Sequence, residues 1–152
     1  MTTTDISRYG TLEATADGFV LRFERHFAVS PARLWQALTQ PSEVAAWLAP
    51  MSGRIVGGGN PRFVFAPPGV EVGWRILECQ PGELLVHTWD SAAGEPGSIV
   101  RWELQPEGDG TRLTLSQHFR TGADIPSATS GWRTHLDRLE QHLETSSEEG
   151  QA

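Results

Sequence analysis

Residues 23–50, FERHFAVSPARLWQALTQPSEVAAWLAP, pass from a predicted strand into two short predicted helices. Ser30 directly before Pro31 is a typical helix start, and Pro41 opens a second apolar-periodic run. Helices this short are marginal in water by themselves, because isolated helices need about 12–15 residues. Their apolar side chains must therefore pack on a larger element, and a sheet is the expected platform. These side chains are Leu34, Trp35, Leu38, Val44, Trp47 and Leu48.

The residues before this stretch indicate a β-hairpin. Residues 10–27 read GTLEATADGFVLRFERHF, and the ADG segment is typical of a turn. Large apolar side chains recur there at alternate positions, namely Phe19, Leu21, Phe23 and Phe27. Since successive side chains of a strand point to opposite faces, one face of the hairpin is expected to be buried.

After residue 50 the chain alternates like an antiparallel meander as far as Phe119. The apolar runs are RIV, PRFVFA, VEVGWRILECQ, LLVHTWD, SIVRWELQ and TRLTLSQHF, and turn-type segments such as GGGN, PGE and EGDG separate them. Val100, Trp102 and Leu104 repeat at period two, which predicts one apolar face on that strand. An apolar sheet face needs a cover.

The last long segment, from about Ile125 to Thr145, is predicted to supply that cover as an amphipathic helix. Its apolar residues follow one helical stripe at i, i+4, i+7 and i+11, namely Trp132, Leu136, Leu139 and Leu143. We therefore expect an α+β fold in which a curved antiparallel sheet of about six or seven strands wraps around this helix.

The chain length predicts a single domain. Its 152 residues fit one domain of ordinary size, and no linker or repeat marks a second one. We expect residues 10–145 to form the domain, with flexible ends at residues 1–9 and 146–152. Cys79 is the single cysteine, so no intrachain disulfide can form. No signal segment or membrane span is recognisable, which makes the cytoplasm the expected compartment.

Charge excludes several classes of partner and chemistry. The formal net charge of -7 opposes binding to nucleic acid, which depends on clustered cations. All twelve basic residues counted as Lys or Arg are Arg, so lysine Schiff-base chemistry and a phosphate-loop lysine are excluded. The glycines of GGGN at residues 57–60 are followed by no helix signal, and we expect a turn there rather than a phosphate cradle.

The order of elements, a hairpin, two short helices, a meander and a long terminal helix, resembles the helix-grip fold of the START-like superfamily. Residues 23–50 are similar to the opening signature of the family named after the activator of the heat-shock chaperone ATPase, with Trp35, Pro41 and Trp47 matching most closely. Thr88 to Asp90, the hairpin at residues 101–119 and GWRTHLDRLEQHL at residues 131–143 are similar to later blocks of that family. The resemblance spans about Gly10 to Leu143.

The resemblance implies a fold more firmly than an activity. The superfamily includes binders of apolar ligands, cyclases and regulators of chaperones, and bacterial members of the family are diverse. The sequence departs from the family pattern at residues 60–62, where Asn-Pro-Arg separates the glycine turn from the aromatic strand. The local register of that strand is therefore open.

Six tryptophans in a small domain are the most informative functional feature. A curved sheet gripped by a helix encloses a tapered interior, and large rings with a few polar groups suit a small apolar or aromatic molecule. Ordinary core packing is the competing interpretation for each tryptophan, and Trp35 is expected to be a helix anchor. The predicted ligand-binding residues are Trp47, Trp74, Trp89, Trp102, Gln117, Phe119, Trp132, His135, Leu136 and Leu139.

Catalysis and metal binding find little support in the sequence. His135 and His142 are two helical turns apart, roughly 10 Å, which is too far for one metal ion, and no cysteine cluster is present. We expect no metal, no organic cofactor and no catalytic residue that can be assigned. Two alternatives stay open: a protein-binding module that regulates a chaperone or another partner, and a cofactor-free enzyme that transfers protons on a bound carbonyl compound, such as a cyclase. Either a monomer or a homodimer is compatible with the sequence.

Overall fold

Local capping explains where the two short helices begin. A computed structural model of the chain describes residues 9–65, 69–91, 98–122 and 125–151. Helix α1 spans Pro31–Thr39, and the Ser30 side chain accepts a hydrogen bond from the Arg33 backbone N–H, as expected for an N-cap. Helix α2 spans Pro41–Trp47, and proline occupies the first turn of both helices. Both helices follow the first two strands, as the sequence predicts.

The strands form one antiparallel sheet. They are β1 (Thr11–Thr15), β2 (Gly18–Phe27), β3 (Met51–Ser52), β4 (Arg62–Phe65), β5 (Val70–Gly73), β6 (Ile76–Gln80), β7 (Leu84–Ser91), β8 (Ser98–Glu107) and β9 (Gly110–Phe119). Their order is β1-β2-β9-β8-β7-β5-β4-β3, and β6 pairs with β7 beside β5. The predicted meander is therefore present. The N-terminal hairpin extends the sheet beyond the meander, because β2 pairs with β9.

The strands differ from the predicted apolar runs at two places, and one of these differences adds a strand. VEVGWRILECQ is not one strand, since Trp74 and Arg75 separate β5 from β6 and their backbone N–H groups donate to Pro61 O and Thr88 Oγ1. Strand β7 pairs with β6 along its first half and with β5 at its end. The RIV run at residues 54–56 is also outside the strands, although Ile55 is buried.

The terminal helix covers the inner face of the sheet, which confirms the predicted α+β architecture. Helix α3 spans Ile125–Gln151 and so runs past the predicted end at Thr145. Its predicted apolar stripe is buried, with Leu136 and Leu139 fully inaccessible to solvent. Burial of this stripe is the main reason that the helix packs on the sheet.

Charged contacts hold the same helix at two points. Arg25 lies on the buried face of β2, where only 1% of its side chain is exposed, and its Nη1 lies 2.7 Å from Asp137 Oδ1 and 3.4 Å from Glu140 Oε1 of α3. Glu43 of α2 forms an ion pair with Arg33 Nη1 at 2.7 Å and accepts a hydrogen bond from His142 Nε2 at 3.0 Å. These contacts fix α3 relative to β2 and to the short helices, and thereby fix the residues that α3 presents to the sheet.

Candidate functional site

The inner face of the sheet carries one continuous cluster of aromatic rings. Trp47 at the end of α2 meets Trp102 of β8 edge to face, with ring centroids 5.9 Å apart. Trp102 meets Trp132 of α3 in the same way at 5.4 Å, and Trp132 meets Trp89 of β7 at 5.4 Å. Trp89 lies 6.0 Å from Trp74. Ring contacts therefore link five tryptophans from the sheet and two helices.

His87 lies against this cluster and is fully buried. Its ring stacks on Trp74 with centroids 3.5 Å apart, its Nδ1 lies 2.8 Å from Thr88 O, and Trp102 Nε1 donates to its Nε2 at 3.0 Å. Because a carbonyl only accepts and an indole N–H only donates, these partners assign a neutral ring with its proton on Nδ1. Burial lowers the pKa of His87 to about 3, so the ring stays neutral at physiological pH.

Gln117 of β9 joins the cluster through a buried hydrogen-bond chain. Trp132 Nε1 donates to Gln117 Oε1 at 2.7 Å, and Gln117 Nε2 donates to Ser98 Oγ of β8. Buried polar groups that are all partnered hold their neighbours in one orientation. This chain fixes the plane of the Trp132 ring against the sheet.

One end of the cluster reaches the protein surface as a closed ring of four side chains. Phe65 of β4 and Trp89 have centroids 5.9 Å apart, and His135 of α3 lies 5.7 Å from Phe65 and 5.9 Å from Trp132. We call Phe65, Trp89, Trp132 and His135 the four-ring frame. Trp132 is buried, whereas the other three are half-buried, so the frame is partly accessible to solvent.

His135 brings an unusual polar atom to this frame. Nδ1 of His135 is buried and has no hydrogen-bond partner within the described part of the chain. Burial is the main cause that lowers the pKa of His135, and the nearby Arg138 adds to it by charge repulsion. Nε1 of buried Trp74 is likewise unpartnered within the residues that the structure describes. Buried polar atoms of this kind are rare and call for an explanation.

The structure brings most of the predicted ligand-binding residues together. Trp47, Trp74, Trp89, Trp102, Trp132 and His135 belong to the ring cluster, and Gln117 is bonded to Trp132. Phe119, Leu136 and Leu139 are buried in the same hydrophobic core. Trp47 is less accessible than the frame, since it is 1% exposed and its Nε1 donates to Ala37 O of α1 at 2.8 Å.

Phe65 and His87 belong to the cluster but are absent from the predicted ligand-binding residues. Phe63 and Phe65 alternate in β4, and Phe63 also contacts Trp74, with centroids 4.2 Å apart. Leu85, His87 and Trp89 alternate in β7. Period-two spacing was therefore the available signal, because it places each of these residues on the same face as a neighbour that is recognisably apolar.

Two further titratable side chains in the described part of the chain have partners outside the frame. Asp90 is buried and accepts from Thr88 Oγ1 at 2.6 Å, and His118 is half-buried 3.4 Å from Asp17. Among residues 9–65, 69–91, 98–122 and 125–151, no three His, Cys, Asp or Glu side chains are grouped so that they could hold a metal ion. The frame can therefore offer aromatic surface and one or two hydrogen-bonding groups.

An antiparallel sheet that holds a long terminal helix against an aromatic inner face defines a START-like, helix-grip protein. The family described as Activator of Hsp90 ATPase homolog 1-like protein matches residues 28–144. The chain belongs to that family. The resemblance noted in the sequence is therefore confirmed.

Solved structures share this fold. Protein MLL2253 from Mesorhizobium loti is 28% identical with a TM-score of 0.75, over 83% of this chain and 97% of that one. CalU16 from Micromonospora echinospora is 22% identical with a TM-score of 0.74, over 88% and 83% of the two chains. EF2215 from Enterococcus faecalis, described as a conserved protein of unknown function, is 19% identical with a TM-score of 0.73, over 93% and 84%.

Two further findings concern curated relatives and membrane-spanning helices. Among curated proteins, none matches the chain. None of the helices in the described part of the chain has the length and apolar character that crossing a membrane requires.

Proposed function

We propose that the protein binds a small apolar or aromatic molecule between the sheet and α3, at the four-ring frame. The observation that carries this proposal is the frame itself, in which three half-buried rings surround a surface that continues into the buried tryptophan cluster. Small-molecule sites are mostly apolar and aromatic, with a few polar groups that fix orientation. The frame has that composition.

Packing determines how such a molecule is accommodated. The four rings of the frame already touch one another, so a ligand must stack on their accessible faces or displace Phe65 or Trp89 outward. These two side chains are half-buried at the border of the core, which makes their movement less costly than movement of Trp102 or Trp132. Trp89 is therefore the residue whose ring we expect to contact ligand most extensively.

Quenching of tryptophan fluorescence tests the proposal. A panel of flavonoids, sterols, fatty acids and naphthalene derivatives is titrated into the wild-type protein, and at least one class is expected to give saturable quenching and a higher Tm. For that class Trp89→Leu is expected to weaken binding about tenfold, since a lost aromatic contact adds to lost apolar area.

Trp35→Leu is the matched control for this experiment. Trp35 is also half-buried and packs on the core, but it lies on α1 away from the frame. Its replacement should leave the affinity unchanged. Absence of saturable quenching and of a thermal shift across the panel, or equal weakening by both substitutions, would contradict a ligand site at the frame.

The alternative functions differ from this proposal in where they place the interaction. A protein-binding module uses the outer surface, so its partner would be retained by Trp89→Leu. A proton-transfer enzyme acts through titratable groups at the frame, so it needs a group besides His135 that serves as acid or base. The compartment that we propose, the cytoplasm, fits the single cysteine of the chain.

A further inference from the structure

Gln117 is a polar residue at a position of β9 where its cross-strand neighbours are apolar. It lies opposite Val100 of β8 and Leu21 of β2, and all three side chains are buried. Burial of an amide costs free energy unless its oxygen and its nitrogen find hydrogen-bond partners. An amide at this place therefore calls for a role that an apolar side chain would not fill.

The hydrogen bonds of Gln117 determine which way its amide points. Trp132 Nε1 lies 2.7 Å from Gln117, and an indole N–H can only donate, so the amide oxygen faces Trp132. The amide nitrogen consequently faces β8, where it donates to Ser98 Oγ. Gln117 is therefore held through both ends of its amide, and it holds the Trp132 indole in turn.

Trp132 transmits this restraint to the other rings. Its ring plane makes angles of 67°, 84° and 75° with those of Trp89, Trp102 and His135, so all three contacts are edge to face. Such contacts depend on the relative orientation of the ring planes. Rotation of the Trp132 ring would disrupt all three of them, and two of the three lie within the four-ring frame.

We propose that Gln117 is the positioning residue of the four-ring frame, and that it contributes to ligand binding by holding Trp132 in the orientation that the ligand meets. This role rests on the proposed function, since it concerns the same site. Gln117 is 4% exposed and its amide is bonded to Trp132 and Ser98, so it acts through Trp132 and not by contact with the ligand. A ring that is already oriented need not be ordered on binding, and this preorganisation raises affinity.

Gln117→Met tests the role of the amide. Methionine is similarly long and unbranched, but its thioether is only a weak acceptor for the Trp132 N–H. The variant is expected to bind 2-naphthol about fivefold more weakly than the wild-type protein, as measured by calorimetry, because Trp132 must then be ordered on binding. In the free variant the indole N–H signal of Trp132 should move upfield, as expected for a lost hydrogen bond.

Thr111→Val is the matched control. Thr111 is buried on the same face of β9 and donates to Val29 O at 2.7 Å, so valine also removes a buried hydrogen bond but does not touch the frame. It should lower the Tm and leave the affinity for 2-naphthol unchanged. Unchanged affinity in Gln117→Met, or equal weakening by Gln117→Met and Thr111→Val, would overturn the proposal.

Gln117→Glu is the conservative variant, because it keeps an oxygen that accepts from Trp132 Nε1. It should bind 2-naphthol more tightly than Gln117→Met and nearly as tightly as the wild-type protein. An affinity as low as that of Gln117→Met would count against the hydrogen bond to Trp132 as the means of positioning.

Nuclear Overhauser effects in the wild-type protein test the same role without a substitution. Bound 2-naphthol should show contacts with the ring protons of Trp132 and none with the side-chain amide protons of Gln117. Contacts with that amide, or none with Trp132, would overturn the proposal.

The outcome for Gln117 is separable from the outcome for ligand binding as such. If 2-naphthol does not bind, the compound of the panel with the lowest Kd takes its place in the same comparison. Affinity that is independent of the amide defeats the positioning role and leaves the proposed function intact. Absence of binding by every compound of the panel defeats both.

Discussion

At the scale of single residues, the fully buried His87 couples stability to pH. It is inaccessible to solvent, stacks on Trp74 and accepts from the indole N–H of Trp102, so its neutral form is built into the aromatic cluster. Asp90 is the charged group that acts on it, and its attraction only partly offsets the desolvation that lowers the pKa. Protonation of His87 would require one of its two hydrogen bonds to be given up.

The lowered pKa makes stability depend on pH. The pKa of His87 is about 3 in the folded protein and 6.5 when unperturbed, so between these values the unfolded chain binds the extra proton. The contribution of the neutral ring to stability is therefore complete above pH 6.5 and is lost as the pH falls towards 3. This loss amounts to a few kcal/mol for the full shift, and His135 changes stability in the same direction.

Urea denaturation at pH 7, 5 and 4 measures this effect. The free energy of unfolding of the wild-type protein should fall with pH, and that of His87→Gln should fall less, because glutamine keeps an acceptor for Trp102 without a group that titrates. The difference between the two proteins removes the contribution of the carboxylates, such as Glu43, whose pKa is lowered in the folded state. Parallel pH dependence in both proteins would contradict a buried neutral His87.

At the scale of elements, α3 determines whether the frame exists, because it supplies both Trp132 and His135. Its apolar stripe packs on the sheet, while Asp137 and Glu140 contact buried Arg25. A buried ion pair adds little net stability compared with an apolar pair, but it disfavours other positions of the helix. We therefore infer that burial of the apolar stripe supplies most of the free energy with which α3 packs on the sheet. The charged contacts determine how the helix is aligned.

Leu136→Ala tests the part played by the stripe. Leu136 is fully buried, and removing its side chain should lower the free energy of unfolding by about 2–5 kcal/mol, the usual range for a large-to-small change in a core. Leu77→Ala is a matched control, since Leu77 is 51% exposed and should cost less than about 0.5 kcal/mol. A loss below about 0.5 kcal/mol for Leu136→Ala, measured in urea, would show that the helix does not dock through this stripe.

Strand boundaries were harder to predict than the helices, and β5 and β6 show why. Apolar residues alternate from Val70 to Ile76, across the point at which the structure divides this run, so periodicity gives no reason for a division there. The division arises from β7, which pairs with each half in a different place and supplies the Thr88 hydroxyl that binds the backbone at Arg75. The residue pattern within one segment does not show which distant segment will pair with it as a strand.

At the scale of the whole molecule, the order of the elements predicted the fold, and sequence blocks such as residues 23–50 predicted the family. The aromatic cluster was predicted in part, because six tryptophans on different elements had to meet in a small interior. The position of Phe65 depends on the register of β4, which the sequence does not specify near residues 60–62. The hydrogen bonds of His87 and Gln117 depend on which residues lie opposite each other on neighbouring strands. The four-ring frame could therefore be identified only from the structure, whereas the abundance of aromatic residues is visible in the sequence.

The indole N–H resonances of the tryptophans provide the most direct measurement of where a small molecule binds. Each assigned signal reports one indole ring during a titration with 2-naphthol. Binding at the frame predicts saturable shifts of the Trp89 and Trp132 signals, with the Trp35 signal unchanged. Saturable shifts confined to Trp35, or no saturable shift for any tryptophan with 2-naphthol or with the other compounds of the panel, would contradict a ligand site between the sheet and α3.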